Sequence, residues 1–147
     1  MRITARPTEA FSSPLSVRRG EPADFGAVVW LMGKSPLHAR YSVEACIRLV
    51  LTPLELGQAV ILPAPLAYAS WAFMSDEASA RMRAGISPHA EEWRSGSNVW
   101  LMDVIAPMGG AEVVMAGLQR IAKSLSVSRV NFNRRAKGRF GVTANVA

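Results

Sequence analysis

The sequence predicts an α/β fold of the α+β kind, a mixed sheet flanked by helices, and three observations carry that expectation. First, four short apolar runs (Gln58–Leu62, Leu66–Met74, Asn98–Ala106 and Val127–Phe132) are bounded by Gly, Pro or Ser and read as strands. Second, segments with apolar residues at helical spacing and recognisable start and stop residues alternate with them. Third, the chain has 147 residues, enough for one core. It shows no internal repeat and no linker that would divide it.

In chain order, residues 1–20 are rich in Arg, Ser and Pro and read as a flexible N-terminal extension, leaving 21–147 as a single domain. Phe25, Val28, Val29 and Met32 share one helical face, which predicts a helix over 24–33 with Asp24 as N-cap and Gly33 as stop. Lys34–Arg40 reads as a loop, because Pro36 disfavours helix at Ser35. Ser42 is placed to cap a second helix over 43–51, with Glu44 in its first turn and Pro53 marking its end or a kink. Gln58–Leu62 and Leu66–Met74, separated by Pro63-Ala64-Pro65, read as a strand hairpin. Residues 76–84 are good helix formers ending at Gly85. Ser95-Gly96-Ser97 is a turn before the third strand, which Pro107 stops. Gly109 and Gly110 then lead into an amphipathic helix over 111–125, and the last strand runs into a basic segment, Arg134–Arg139.

Composition narrows the function classes. Half the residues are hydrophobic and 19% are charged, the balance of a globular domain. No apolar run approaches the ~18 residues of a transmembrane helix, and no secretory signal follows Arg2 and Arg6. The lone Cys46 has no internal disulfide partner, which fits a cytoplasmic protein, and it reads as a small buried hydrophobe. Two histidines and one cysteine give no metal-ligand spacing, so no metal is expected. The net charge of +6 favours acidic partners.

Two residues stand out chemically. Asp103 lies inside the apolar strand Trp100–Ala106, where a carboxylate is costly unless it is hydrogen-bonded or paired. His38 lies in the loop Ser35-Pro36-Leu37-His38. Brought together by folding, they form a dyad in which Asp103 orients the ring and His38 is a general base. The competing readings are a solvent-facing strand position or a structural hydrogen bond for Asp103, and a surface loop histidine for His38. His89, next to Pro88 and Glu91-Glu92, reads as surface. Gly109-Gly110 at a helix N-terminus reads equally as a tight turn or as a phosphate site. The four tryptophans read mostly as core or pocket wall.

Several blocks together resemble one family. Val29-Trp30-Leu31-Met32 with Ser35-Pro36-Leu37-His38, Ala67-Tyr68-Ala69-Ser70-Trp71-Ala72, Glu91-Glu92-Trp93-Arg94-Ser95-Gly96 and Trp100-Leu101-Met102-Asp103-Val104-Ile105-Ala106-Pro107 resemble, in order and spacing, the RTX-toxin-activating lysine acyltransferases. The resemblance covers about residues 25–125. It implies a GNAT-like acyltransferase fold with a mostly antiparallel sheet. It implies transfer of a fatty acyl group from acyl-ACP to the ε-amine of an internal lysine of an RTX protoxin, with no permanently bound cofactor. His38 and Asp103 fall on the family's essential histidine and aspartate, and Ser35 on a serine of supporting role. Gly109 and Gly110 would receive the phosphopantetheine phosphate. The implied partners are acyl carrier protein, the protoxin and a second copy in a homodimer, with nucleic acid unfavoured. The resemblance departs at Leu49-Val50-Leu51-Thr52-Pro53, where the family's asparagine is absent. Two alternatives stay open. One is a non-catalytic binding module of this fold that uses the basic C-terminal end, and the other is an acyl-CoA-dependent N-acetyltransferase.

Overall fold

The computed structural model describes residues 16–17, 21–63, 65–127 and 129–133. Its centre is a five-stranded sheet in the order β1 (Ser16–Val17), β2 (Ala59–Leu62), β3 (Ala67–Met74), β4 (Asn98–Ile105) and β5 (Val130–Phe132). Neighbours from β1 to β4 pair antiparallel, and β4 pairs parallel with β5 through a helical crossover. The expected mixed, mostly antiparallel α+β architecture is therefore present. Within the predicted extension, Ser16–Val17 pair with Val60 and Ile61 as a short edge strand. The basic segment 134–139 lies outside the described residues.

Every residue of β3 is buried, so both faces of the sheet are covered. Helix α1 (Pro22–Gly33) and the helical stretch α2 (residues 43–55) cover one face. There Val28, Leu31, Met32, Cys46, Val50 and Leu54 meet Ile61, Tyr68 and Ile105. Farther along that face, Ala78 of α3 (Asp76–Arg83) packs with Met74, Trp93, Trp100 and Met102. Helix α4 (Ala111–Ser124) covers the other face, setting Val114 and Ile121 against Trp71, Phe73, Leu101 and Val104. Full burial of a Leu or Val side chain is worth ~1.5–3 kcal/mol, so these two layers hold the sheet from both sides. Trp71, Trp93 and Trp100 are buried, whereas Trp30 is half exposed with the Lys34 ammonium over its ring.

Two helix boundaries differ from expectation, each because of a proline. Helix α1 begins at Pro22, whose fixed φ and missing N–H suit a first turn, and Glu21 occupies the N-cap. Asp24 therefore sits inside the first turn, buried, and does not cap the helix. In α2, Ser42 caps as predicted, accepting from the Ala45 N–H at 3.1 Å. The helix then passes through Pro53 without ending: Val43–Cys46 is followed by a π-helical turn, Ile47–Leu51, and a last α-turn, Thr52–Glu55. The wider π spacing makes room for a ring that would otherwise press on the preceding turn. The last strand is also shorter than predicted, starting at Val130.

Buried polar bonds lock the strands around the third turn. The Gln58 amide donates to the carbonyls of Trp71 and Trp93, each at 3.0 Å, and accepts from Arg94 Nε at 2.7 Å. At the same corner, a Cβ on Gly96 would lie 2.6 Å from the Met74 carbonyl oxygen and the Ser75 backbone. Gly96→Ala is expected to destabilise the fold by about 2 kcal/mol or more, the scale of overpacking a rigid site. Urea unfolding followed by circular dichroism measures it.

Candidate active site

Backbone bonds of the loop after α1 help to turn His38 inward. Ser35 N–H donates to the Met32 carbonyl at 3.0 Å, and the Ser35 carbonyl accepts from His38 N–H at 3.0 Å and Ala39 N–H at 2.8 Å. This tight turn leaves Leu37 half exposed and buries His38 almost completely. The surface-histidine reading is thereby excluded.

Asp103 reaches the same place because β4 carries a bulge. Ser70 pairs with Asp103, but the next residue, Trp71, pairs with Leu101, leaving Met102 as the extra residue. Side chains alternate faces along a strand, so one extra residue reverses the alternation beyond it. Trp100 and Asp103, an odd number of residues apart, consequently share the face under α1 and α2. Without the bulge the carboxylate would lie against α4.

The two segments meet in one buried hydrogen-bond chain. Ser35 Oγ lies 2.6 Å from His38 Nδ1, and His38 Nε2 lies 2.8 Å from Asp103 Oδ1. The same Oδ1 accepts from the Val104 N–H at 2.9 Å. An ionised carboxylate only accepts, so the ring proton belongs on Nε2, and Nδ1 accepts from the Ser35 hydroxyl. The Tyr41 ring flanks the imidazole, with centroids 5.3 Å apart. Three residues singled out from the sequence (Ser35, His38 and Asp103) are thus brought together. Gly109 and Gly110 stand outside this chain, forming the turn into α4 with φ of 100° and 91°, a conformation suited to glycine. His89 is exposed and caps the short 3₁₀ turn Ala90–Trp93, and Cys46 is buried, with its thiol pKa pushed up by desolvation.

Sequence reasoning passed over two neighbours of Asp103. Ser70 lies opposite it in register and Tyr68 opposite Ile105, on the same face. Both hydroxyls are buried, and among the described residues neither has a partner at hydrogen-bonding geometry, although the two lie near enough for Ser70 to influence the phenol. A polar residue every second position in β3 was the available signal. Burial raises the Tyr68 phenol far above its ordinary value, and the Asp103 charge adds to the effect, while Ser70 opposes it. Across the sheet, Trp71, Phe73, Leu101, Leu118 and Phe132 line an apolar cavity of about 70 Å³, on the face opposite His38. Among the described residues no cluster of three His, Cys, Asp or Glu is placed to hold a metal ion, and no helix is long and apolar enough to cross a membrane.

Tyr68 gives a pH prediction. Its folded pKa is raised, so above the unfolded value of ~10 the unfolded chain loses a proton that the folded chain keeps. Stability is complete below that pH and falls as pH climbs through the alkaline range. Tyr68→Phe is expected to remove this component and, by deleting an unpaired buried hydroxyl, to be neutral or stabilising at pH 7. Parallel denaturation curves at neutral and alkaline pH check both.

With this geometry in place, comparison with known proteins is informative. A profile described as the HlyC RTX toxin acyltransferase family matches residues 20–141. The leukotoxin-activating lysine-acyltransferase LktC of a Pasteurella haemolytica-like species is 35% identical over 100 residues, 65% of this chain and 61% of that protein. The RTX-II toxin-activating lysine-acyltransferase ApxIIC of Actinobacillus pleuropneumoniae is 32% identical over 93 residues, 60% of this chain and 58% of its own length. The protein-lysine palmitoyltransferase CyaC of Bordetella bronchiseptica is 36% identical over 89 residues, 58% of this chain and 48% of that protein. The chain thus matches about three fifths of the first two relatives. The profile match spans strands β2 to β5, the helices on both faces of the sheet and the Ser35–His38–Asp103 chain, and the protein belongs to the RTX toxin acyltransferase family.

Proposed function

We propose that this protein is a cytoplasmic acyltransferase that activates a toxin, moving a fatty acyl group from acyl carrier protein to the ε-amine of an internal lysine of an RTX protoxin. The observation that carries the reading is the buried 2.8 Å contact between His38 Nε2 and Asp103 Oδ1 in a chain of this family. The relatives' names supply the substrate class: leukotoxin-activating, RTX-II toxin-activating and protein-lysine palmitoyltransferase.

The chemistry asks for what this site offers. A lysine amine has an unperturbed pKa of ~10.4 and must shed a proton to attack a thioester. The His38–Asp103 pair is the proton acceptor in this proposal, with Ser35 holding the far side of the ring. From the sequence, His38 is expected to be the base and Asp103 its orienting partner. Gly109 and Gly110, at the N-terminus of α4, are the proposed seat of the phosphopantetheine phosphate, where the N–H groups of a helix's first turn and the helix dipole favour an anion. The net charge of +6 suits an acidic carrier protein.

The test is intact-mass analysis of a repeat toxin co-expressed with this chain. A mass gain equal to a fatty acyl group is expected with the native chain. With folded His38→Ala the gain is expected to fall by at least ~100-fold, the low end of acid–base contributions. Absence of any gain with the native chain sinks the proposal.

A further inference from the structure

Of the three side chains in the buried hydrogen-bond chain, Asp103 alone keeps some access to solvent. The His38 side chain is 0% exposed, and the Asp103 side chain is 8% exposed. Ser35 is 0% exposed, so the ring's Nδ1 side is closed as well. Both imidazole nitrogens are engaged, at 2.6 Å and 2.8 Å. Asp103 Oδ1 is engaged twice, by His38 and by the Val104 N–H. Its Oδ2 accepts no hydrogen bond from any described residue, and it is not among the buried unpartnered atoms. Oδ2 is thus the atom of the pair that keeps both unshared lone pairs and some solvent access.

We propose that Asp103 is the catalytic residue that meets the acceptor amine, through Oδ2, and that His38 is a positioning residue that never touches substrate. This deepens the acyltransferase proposal, rests on it, and reverses the roles expected from the sequence. His38, anchored by Ser35, holds Oδ1 through its Nε2–H, which fixes the carboxylate plane and leaves Oδ2 free. A lysine ammonium docks on Oδ2 as an ion pair and loses its first proton to water. The neutral amine then attacks the thioester carbonyl. As the N–C bond forms, the second proton passes from nitrogen to Oδ2. The tetrahedral intermediate collapses, the C–S bond breaks, and the departing thiolate takes that proton back from Asp103. Amine and thioester become amide and thiol, with Asp103 ionised again.

The discriminating experiment uses the full chain, palmitoyl-loaded acyl carrier protein and a repeat-toxin acceptor domain, with kcat and the acceptor KM measured separately. His38→Gln keeps an N–H donor near the position of Nε2. It is expected to leave the acceptor KM unchanged and to hold kcat on the order of a tenth of native, the worth of about one hydrogen bond. Asp103→Asn keeps the shape but removes the proton acceptor and the charge. It is expected to weaken acceptor binding and to lower kcat by ~10²–10⁴-fold. Circular dichroism melting confirms that each variant is folded. If folded His38→Gln is as inactive as Asp103→Asn with acceptor binding intact, His38 is the base and the inference is overturned. If Asp103→Asn keeps near-native kcat and acceptor KM, it is overturned too. If the native chain transfers no acyl group, the acyltransferase reading fails first and this inference falls with it.

Discussion

The site depends on one contact that joins segments 65 residues apart, the hydrogen bond between His38 and Asp103. A carboxylate removed from water costs several kcal/mol unless its charge is answered. Here the answer comes from an imidazole N–H and a backbone N–H on the same oxygen. The histidine, in turn, is held by the hydroxyl three residues before it. Each member of the chain is costly to bury alone and affordable only in company. The loop after α1, the bulge in β4 and the packing of α1 and α2 must therefore all be right at once.

The scaffold around this contact divides the labour between the two faces of the sheet. The α4 side packs mainly through apolar side chains, and it supplies cohesion. The α1–α2 side mixes apolar packing with the buried polar residues Ser35, His38, Tyr68, Ser70 and Asp103. Concentrating unpaired hydroxyls there weakens that face as a source of stability. Natural proteins violate packing rules chiefly where function requires it. Tyr68 and Ser70 are such violations, set against the one carboxylate of the sheet.

Much of this was legible from the sequence, for identifiable reasons. Four of the five strands were found because apolar runs between Pro and Gly have few other readings, and Ser42 because a capping side chain acts locally; the edge strand Ser16–Val17 was not, because two residues carry no pattern. Asp103 stood out because a charge inside an apolar run conflicts with its surroundings. What escaped depends on relations that one-dimensional patterns do not hold. Asp24 looked like a cap because it precedes apolar residues, but Pro22 is the better helix start. Pro53 looked like an end or a kink, because local reasoning does not foresee how a helix widens to a π turn and continues. The bulge at Met102 left no mark in a strand that is apolar on both faces, and so the partners of Asp103 across the sheet, Ser70 and Tyr68, were not anticipated.

That bulge also makes the interior of β4 far less tolerant of a change in length than the connection between β2 and β3. Length added between Leu62 and Ala67 falls in the connection of β2 to β3 and leaves the register of both strands free to persist. Within β4 a single residue gained or lost between Trp100 and Asp103 would exchange inside for outside for everything beyond it. The carboxylate would swing to the α4 face and an apolar side chain would arrive beside His38, with the strand still a strand and its core still apolar. The length of this short segment is therefore a functional quantity in its own right, separate from the identity of any residue in it.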